Sequence, residues 1–329
     1  MTDFDPPNLL RGPHVQSVLA SGNFRRMRVQ RAARRLLEKS HDEIADCGDG
    51  VRLLLHHTPP CQADQGRMVA LIHGWEGSSN STYILSAATH LWNEGYRVIR
   101  INLRDHGNSH HLNEELFHSC RLTEAIGAVK WIQSRFPDDE LLLGGASLGG
   151  NFSLRIAANA ISSGLRIRKV VAVCPVLDPA QTMDALDSGW FGYRQYFLRK
   201  WRRSLKLKQA AFPDVYDFTR LRRFKTLRSM TDFFVQNYTD IPNIESYLSG
   251  YAVTGNRLVD LPVPASILVA DDDPVIPVSD LSRIARSPML SIDRSTFGGH
   301  CGFLGSYSLT SWLDSYFVQA FDFDSAVID

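Results

Sequence analysis

The sequence of 329 residues has neither a long hydrophobic run nor an excess of charge of either sign. Its longest unbroken apolar run covers about residues 170–177, whereas a membrane-spanning helix needs roughly 20 such residues. Lysine and arginine together number 36 and aspartate and glutamate 35, for a net charge of +1. General nucleic-acid-binding proteins carry a basic excess, so we expect no nucleic-acid partner. The hydrophobic fraction of 44% excludes an intrinsically disordered chain.

Cysteines are few, and no two of them form a Cys-x-x-Cys pair. Their number is odd and they are scattered: Cys47, Cys61, Cys120, Cys174 and Cys301. Such spacing predicts neither a disulfide framework nor a zinc site. The N-terminus lacks a basic start followed by an apolar core, so we expect no signal peptide. A reducing, cytoplasmic location is the resulting expectation.

Short apolar runs alternate with helical patterns from residue 67 onward. Unbroken β-type runs are typical of buried parallel strands, and the helical stretches between them are typical of crossovers. The pattern therefore predicts the α/β class, with a mostly parallel twisted sheet and helices on both faces. The predicted strands are 68–72, 96–101, 141–143, 169–174, 266–270 and 290–292, and the predicted helices are 82–93, 121–136 and 151–164.

Two regions lie outside this alternation. Near the N-terminus, residues 24–39 show a basic helical pattern, and residues 43–57 show a hairpin pattern around a Gly- and Asp-containing turn. Residues 179–262 are rich in aromatic residues and arginine and are too apolar for a linker. We predict a catalytic domain of residues 1–178 and 263–329, with 1–40 as an N-terminal extension, and an inserted helical cap of residues 179–262.

The strongest local pattern is Gly145-Ala146-Ser147-Leu148-Gly149, between an apolar run and a helical pattern. A serine at a sharp strand-to-helix turn, flanked by glycines, is typical of a nucleophile elbow. This turn projects the hydroxyl above the sheet, near the helix N-terminus. The pattern predicts Ser147 as a nucleophile, and the alternative is that Ser147 only caps the helix.

A serine hydroxyl needs a base, and the base needs an orienting acid. In a strand–elbow–helix topology the acid and then the histidine follow the serine along the chain. Asp273 follows a predicted strand and is the predicted acid, with Asp272 as the alternative; the aspartates at 271–273 could instead only cap the next helix. His300, in a glycine-containing loop after the last apolar run, is the predicted base. Its neighbour Cys301 is expected to be a small packing residue.

An acyl-transfer site also needs donors for the developing oxyanion. The backbone N–H of Leu148 is supplied by the elbow itself. A second donor is expected from the loop after the strand 68–72, where the N–H of Trp75 follows His73-Gly74. We expect His73 to hydrogen-bond the loop backbone rather than to do chemistry.

Together these motifs resemble the α/β-hydrolase superfamily. Three further segments resemble its YheT-like branch: residues 6–17, residues 76–81, and Thr231-Asp232-Phe233 with Ser246-Tyr247. Members of the branch are esterases, lipases or acyltransferases on medium- or long-chain acyl esters. The resemblance implies Ser147 as nucleophile, Asp273 as acid and His300 as base, with the Trp75 and Leu148 N–H groups as oxyanion donors. Residues 179–230 depart from the branch, and substrate specificity depends mainly on them.

Two other patterns, a histidine cluster and a basic stretch, each allow two interpretations. His106, His110 and His111 could hold a metal on a helix, but a loop with a tight glycine turn is favoured, and we expect neither metal nor cofactor. Asp105 is expected to order that loop through hydrogen bonds. Basic residues, among them Lys200, Arg203 and Lys208, surround Trp201. This pattern indicates either a solvated cap face, the favoured interpretation, or peripheral contact with the anionic inner face of a membrane.

The sequence thus predicts a serine hydrolase that cleaves medium- or long-chain carboxylic esters, a small-molecule substrate, through an acyl-enzyme. Three alternatives stay open. The same site could serve an acyltransferase, or a thioesterase or amidase. A non-catalytic module of the same fold could instead bind a lipid or a partner. The oligomeric state is not predicted.

Overall fold

A mixed sheet of eight strands forms the centre of the fold in the computed structural model, which describes residues 2–63 and 65–322. The strands are β1 (His41–Asp46), β2 (Arg52–Thr58), β3 (Arg67–Ile72), β4 (Arg97–Ile101), β5 (Glu140–Ala146), β6 (Ile167–Val173), β7 (Ala265–Ala270) and β8 (Leu290–Ser295). Their spatial order is β1-β2-β4-β3-β5-β6-β7-β8. The β1–β2 and β2–β4 pairs are antiparallel and all other neighbours are parallel, which confirms the predicted mostly parallel sheet.

Helices cover both faces of the sheet, as predicted. They are α1 (Pro13–Ala20), α2 (Asn23–Ala32), α3 (Arg34–Lys39), α4 (Thr82–Asn93), α5 (Leu122–Arg135), α6 (Leu148–Ala158), α7 (Pro179–Ser188), α8 (Phe191–Ala211), α9 (Leu227–Tyr238), α10 (Ile244–Gly250) and α11 (Trp312–Asp322). Helices α5 and α6 share one hydrophobic core, whereas α4 and α11 share another on the opposite face.

Strand β3 shows why its apolar run is unbroken. Met68 and Ala70 lie in the first core, together with α5 and α6. Val69 and Leu71 lie in the second core, because successive side chains of a strand point to opposite faces. All four are buried. A strand covered by helices on both sides therefore needs apolar residues at every position.

Most predicted elements are present, with shifted ends. The hairpin is β1 and β2, and its turn uses positive φ angles at Gly48, Asp49 and Gly50. The predicted basic helix 24–39 is two helices, α2 and α3, separated at Ala33. The predicted helix 151–164 is α6, which begins earlier, directly at the turn after β5, and ends at Ala158.

Four helices, α7 to α10, form the insert between β6 and β7, and we use "the insert" for residues 179–262. Side chains begin three of these helices by accepting backbone N–H bonds: Asp178 at α7, Thr226 at α9 and Asn243 at α10. The division into catalytic domain and cap stays a prediction. Residues 323–329 of the predicted catalytic domain, with Met1 and Asp64, lie outside the described residues.

None of the helices within residues 2–63 and 65–322 is long and apolar enough to cross a membrane.

Candidate active site

Ser147 lies in the turn between β5 and α6, with φ at +55° and ψ at −123°. This backbone conformation is rare for a residue with a side chain. The turn is tight because α6 packs directly on β3, and a Cβ atom at Gly149 would collide with the carbonyl oxygen of Ile72. The strained serine and the glycine two residues later thus have one cause, the abrupt reversal from strand to helix.

His300 joins Ser147 to Asp273 through hydrogen-bond contacts. Its Nε2 lies 3.0 Å from Ser147 Oγ, and its Nδ1 lies 2.9 Å from Asp273 Oδ2. The other oxygen of Asp273, Oδ1, accepts from the N–H groups of Val275 at 2.8 Å and Ile276 at 3.0 Å. These two bonds hold the carboxylate in position, so that Nδ1 carries a proton and Nε2 faces the serine.

Asp272, the alternative acid, has a different partner. Its Oδ1 accepts from the Gly299 N–H at 2.8 Å, and burial raises the pKa of its carboxyl. Asp272 therefore supports the loop one residue before His300, while Asp273 contacts the imidazole itself. Both aspartates follow β7, but only one is turned toward the histidine.

Burial and nearby groups act in opposite directions on His300. Burial lowers the pKa of the imidazole, but the charge of Asp273, the neighbouring Cys301 and the hydrogen bond to Asp273 together raise it to about 9. The positively charged form of His300 is thereby stabilised in this site. That form is the one a general base reaches after it takes a proton from a serine.

Of the two predicted oxyanion donors, one directly follows Ser147 in the chain and the other belongs to a neighbouring loop. Leu148 is the first residue of α6, and the first N–H groups of a helix have no intrahelical partner. A Cβ atom at Gly74 would lie 3.0 Å from Ser147 Cβ, so the loop that carries Trp75 runs past the serine. The neighbouring N–H groups are already bound, because Gly74 N–H donates to Tyr83 Oη at 2.7 Å and Glu76 N–H donates to His106 Nε2 at 3.1 Å.

Residues 68–292 match the model of a family described as the alpha/beta hydrolase fold. The chain belongs to the α/β hydrolase fold family.

Relatives of the chain include proteins named for ester cleavage. It is 25% identical over 286 residues to the Escherichia coli (strain K12) protein named "Putative esterase YheT", covering 83% of this chain and 81% of that one. It is 24% identical over 242 residues to Phospholipase ABHD3 of Mus musculus, covering 72% of this chain but only 58% of that protein. The resemblance to the YheT-like branch is confirmed. The solved structure of a Pyrobaculum calidifontis esterase, 18% identical, covers 96% of both chains with a TM-score of 0.55 and supports the fold.

Two buried histidines hold the loops beside Ser147. His73 Nδ1–H donates to the Gly74 carbonyl at 2.8 Å, and its Nε2 accepts from Leu103 N–H at 3.2 Å. His106 Nδ1–H donates to the Arg104 carbonyl at 2.7 Å. Burial lowers the pKa of His73 to about 4 and that of His106 well below its ordinary value. Both rings are therefore neutral and bind loop backbone, as expected for His73.

The N-terminal segment supports the loop of His300, which no sequence pattern indicated. Ser17 Oγ accepts from the His300 N–H at 2.8 Å and donates to the Pro13 carbonyl at 2.7 Å. The buried Gln16 amide donates to the carbonyl of Leu304 at 3.2 Å, and its oxygen accepts from the Leu304 N–H at 2.7 Å. Helix α1 therefore holds the histidine loop at two points, His300 and Leu304. No local pattern predicted this contact, although the resemblance to the YheT-like branch covered these residues.

A cavity of about 120 Å³ opens beside Ser147 under the insert. Its walls are mostly apolar. Trp75 stacks on Phe197 with ring centroids 5.3 Å apart, and Trp201 packs against Trp75 edge-on and against Phe234. The apolar lining includes Trp75, Leu116, Phe117, Leu148, Val176, Met183, Leu186, Phe197, Trp201, Leu205, Leu227, Phe234, Val235, Tyr238 and Val275.

A buried lysine joins the insert to the loop that carries Asp105. Lys208, on α8, donates to Asp105 Oδ1 at 2.8 Å and to the carbonyls of Asn113 at 2.5 Å and Glu115 at 3.0 Å. These acceptors satisfy the three protons of the ammonium group. Asp105 Oδ2 accepts from Phe117 N–H at 2.8 Å, so Asp105 orders its loop as expected. Lys208 was expected to lie on a basic face, which is wrong for this residue, because it is fully buried.

The other basic residues of the insert divide into two groups. Several bind nearby groups: Lys200 donates to the Glu76 carbonyl at 3.0 Å, Arg194 to the Asp187 carbonyl at 2.6 Å, and Arg228 pairs with Asp184 at 3.2 Å. Another group is exposed, and it consists of Arg199, Arg203, Lys206, Arg220, Arg222, Arg223 and Lys225. Exposed apolar side chains lie on the same insert at Trp190, Phe191, Tyr196 and Leu207.

Proposed function

We propose that the chain is a serine hydrolase that cleaves carboxylic esters through an acyl-enzyme. The observation that carries the proposal is the chain of contacts from Ser147 Oγ through His300 to Asp273, 3.0 and 2.9 Å long, at the side of an apolar cavity. Membership of the α/β hydrolase fold family and the esterase-named relatives support it. Fold alone would not, because one fold carries many functions.

In the proposed reaction, His300 Nε2 takes the hydroxyl proton as Ser147 Oγ attacks the ester carbonyl carbon. The N–H groups of Trp75 and Leu148 stabilise the negative charge that develops on the carbonyl oxygen, and losing one such donor costs about 3 kcal/mol. His300 then gives its proton to the leaving alcohol. Water repeats the sequence on the acyl-enzyme and releases the acid, while Asp273 holds the imidazole in the required tautomer throughout.

We further propose that the acyl group is of medium or long chain and that the insert acts as a cap over it. The apolar walls contributed by Phe197, Trp201 and Phe234 support this substrate, since such surface binds hydrocarbon and excludes water. A short acyl chain would leave much of this surface uncovered.

The exposed basic and aromatic residues of the insert support a further proposal, that a cytoplasmic enzyme contacts an anionic membrane surface peripherally. Flotation with liposomes containing anionic lipid tests this contact. We expect binding that weakens as salt is raised, because the attraction is electrostatic. Equal recovery with neutral and anionic liposomes would contradict the proposal.

Labelling and turnover test the hydrolase proposal. Wild type is incubated with a fluorophosphonate probe and with a series of p-nitrophenyl esters of increasing chain length, beside Ser147→Ala and Ser162→Ala. Ser162 is an exposed serine beyond the end of α6, so its variant is a matched control and should label like the wild type. If the wild type neither labels nor cleaves any ester, a non-catalytic module is the better description. If Ser147→Ala keeps its activity, the nucleophile is another residue.

A further inference from the structure

Two cysteines that are far apart in the sequence meet beside the candidate histidine. Cys174 directly follows β6, and Cys301 directly follows His300. One ligand atom from each of these three residues lies within 4.8 Å of the other two. The spacing of the cysteines along the chain predicted no zinc site, and Cys301 was expected to be a small packing residue. The parallel sheet nevertheless brings Cys174 and Cys301 together, because the ends of strands distant in the sequence meet at one edge.

Each thiol lies near the other thiol and near one backbone carbonyl. Cys174 Sγ is 3.9 Å from the Gly299 carbonyl, and Cys301 Sγ is 3.9 Å from the Val173 carbonyl. Both residues are buried, and both have positive φ angles, 42° and 56°. Residues with side chains seldom adopt such angles, and backbone strain of this kind clusters at functional sites. Their thiols have lone pairs available beside an imidazole.

Two thiols and one imidazole are the ligand types that Zn²⁺ prefers. With Zn–S bonds of about 2.3 Å and Zn–N bonds of about 2.0–2.1 Å, tetrahedral ligand atoms lie roughly 3.6–3.8 Å apart. The three ligand atoms lie within 4.8 Å of one another, so they need to move only slightly closer together to reach that spacing. We propose that Cys174, Cys301 and His300 form an inhibitory site for a thiophilic divalent cation, Zn²⁺ or its substitute Co²⁺.

Metal binding there excludes the contacts that the proposed reaction needs. Both ring nitrogens of His300 already have partners, Asp273 at Nδ1 and Ser147 at Nε2. Coordination through either nitrogen breaks one of these contacts. Binding releases to solvent two thiol protons and, where His300 is charged, the imidazolium proton. It forms two metal–sulfur bonds and one metal–nitrogen bond, with water in the fourth position. The inhibition rests on the proposed function, whereas the binding does not.

Titration with Co²⁺ tests the site without reference to catalysis. Thiolate coordination gives Co²⁺ an intense sulfur-to-metal charge-transfer band. We expect this band in the wild type and in Ser147→Ala, at one metal ion per chain. Cys174→Ser and Cys301→Ser should each weaken Co²⁺ affinity by at least about tenfold. Cys61→Ser, which removes an exposed cysteine, is the matched control and should titrate like the wild type.

The site is wrong if the wild type shows no charge-transfer band, or if the band survives unchanged in both Cys174→Ser and Cys301→Ser. If circular dichroism shows that one cysteine variant does not fold, Co²⁺ titration of the other cysteine variant and of His300→Ala tests the site instead.

In the ester assay, Zn²⁺ should inhibit the wild type, and a chelator should restore the lost rate. The Zn²⁺ concentration for half inhibition should rise at least about tenfold in Cys301→Ser. An inactive wild type with a Co²⁺ band would contradict the hydrolase proposal and leave the metal site standing.

Discussion

The loops at the strand ends and the helical insert contribute to one site in different ways. At the strand ends, Ser147, Asp273 and His300 follow β5, β7 and β8, and their geometry depends on backbone turns and short hydrogen bonds. In the insert, the cavity wall depends on ring packing between helices and on Lys208. Reacting groups must be held within a fraction of an ångström, whereas an apolar wall tolerates adjustment. Changes in the two regions should therefore differ in kind as well as in size.

The largest effect is expected from Asp273→Asn. An asparagine keeps the shape of the side chain but favours the wrong imidazole tautomer, and such a change lowers kcat by about 10⁴-fold where the residue is the triad acid. Asp272→Asn is the matched variant, because its amide oxygen can still accept the Gly299 N–H. We expect less than about a tenfold loss there. Steady-state hydrolysis of one ester by both variants measures the difference, and equal losses would contradict the assignment.

A change in the insert should act on stability. Lys208→Met leaves the carboxylate of Asp105 buried without its cation, and breaking a buried pair costs about 3–5 kcal/mol. Urea unfolding measures the loss, with Lys206→Met as the control, an exposed lysine on the same helix that should stay within about 0.5 kcal/mol of the wild type.

Adding Asp105→Asn to Lys208→Met should recover part of the loss, because no unpaired charge then remains. If Lys208→Met unfolds like the wild type, the buried pair of Lys208 and Asp105 does not stabilise the protein.

The pH profile gives a smaller but distinctive signature of the strand-end loops. A general base must be neutral, and the pKa of His300 is raised to about 9, so kcat/KM should increase roughly tenfold per pH unit until that value. An acid limb near the ordinary imidazole pKa of 6.5 would contradict the electrostatic account.

The same shift predicts how stability depends on pH. The contribution of His300 to the free energy of unfolding is fully present below pH 6.5 and is lost as the pH rises through about 9. Unfolding of the wild type and of His300→Ala across this range measures it.

The smallest effect is expected at Ser17, a positioning residue that acts through His300. Ser17→Ala removes the acceptor of the His300 N–H and should cost about 1 kcal/mol, roughly a fivefold loss in kcat/KM. The loss should fall on kcat and leave KM unchanged, because Ser17 holds the loop and not the substrate. Ser17→Thr keeps a hydroxyl and should restore most of the rate; if it does not, the role of Ser17 is packing.

The predictions from sequence succeeded where local chemistry restricts the backbone. The run in β3 predicted a strand buried on both faces, and the glycines around Ser147 predicted a sharp strand-to-helix turn. The placement of helix ends failed more often. The basic stretch 24–39 divides at Ala33, and nothing in its charges marks that break. The two helices have different tertiary partners, since α2 packs against α4 and α3 packs against β2.

The amino-acid sequence by itself determined the fold class and the candidate Ser147, Asp273 and His300, since each sits in a motif whose glycines or prolines restrict the turn after a strand. Only the tertiary structure decided that Asp273 rather than Asp272 contacts the imidazole. It also decided that α1 braces the histidine loop, that Lys208 is buried, and that Cys174 approaches Cys301. These contacts join residues far apart in the chain. Their geometry follows from the packing of strands and helices, which no local pattern records.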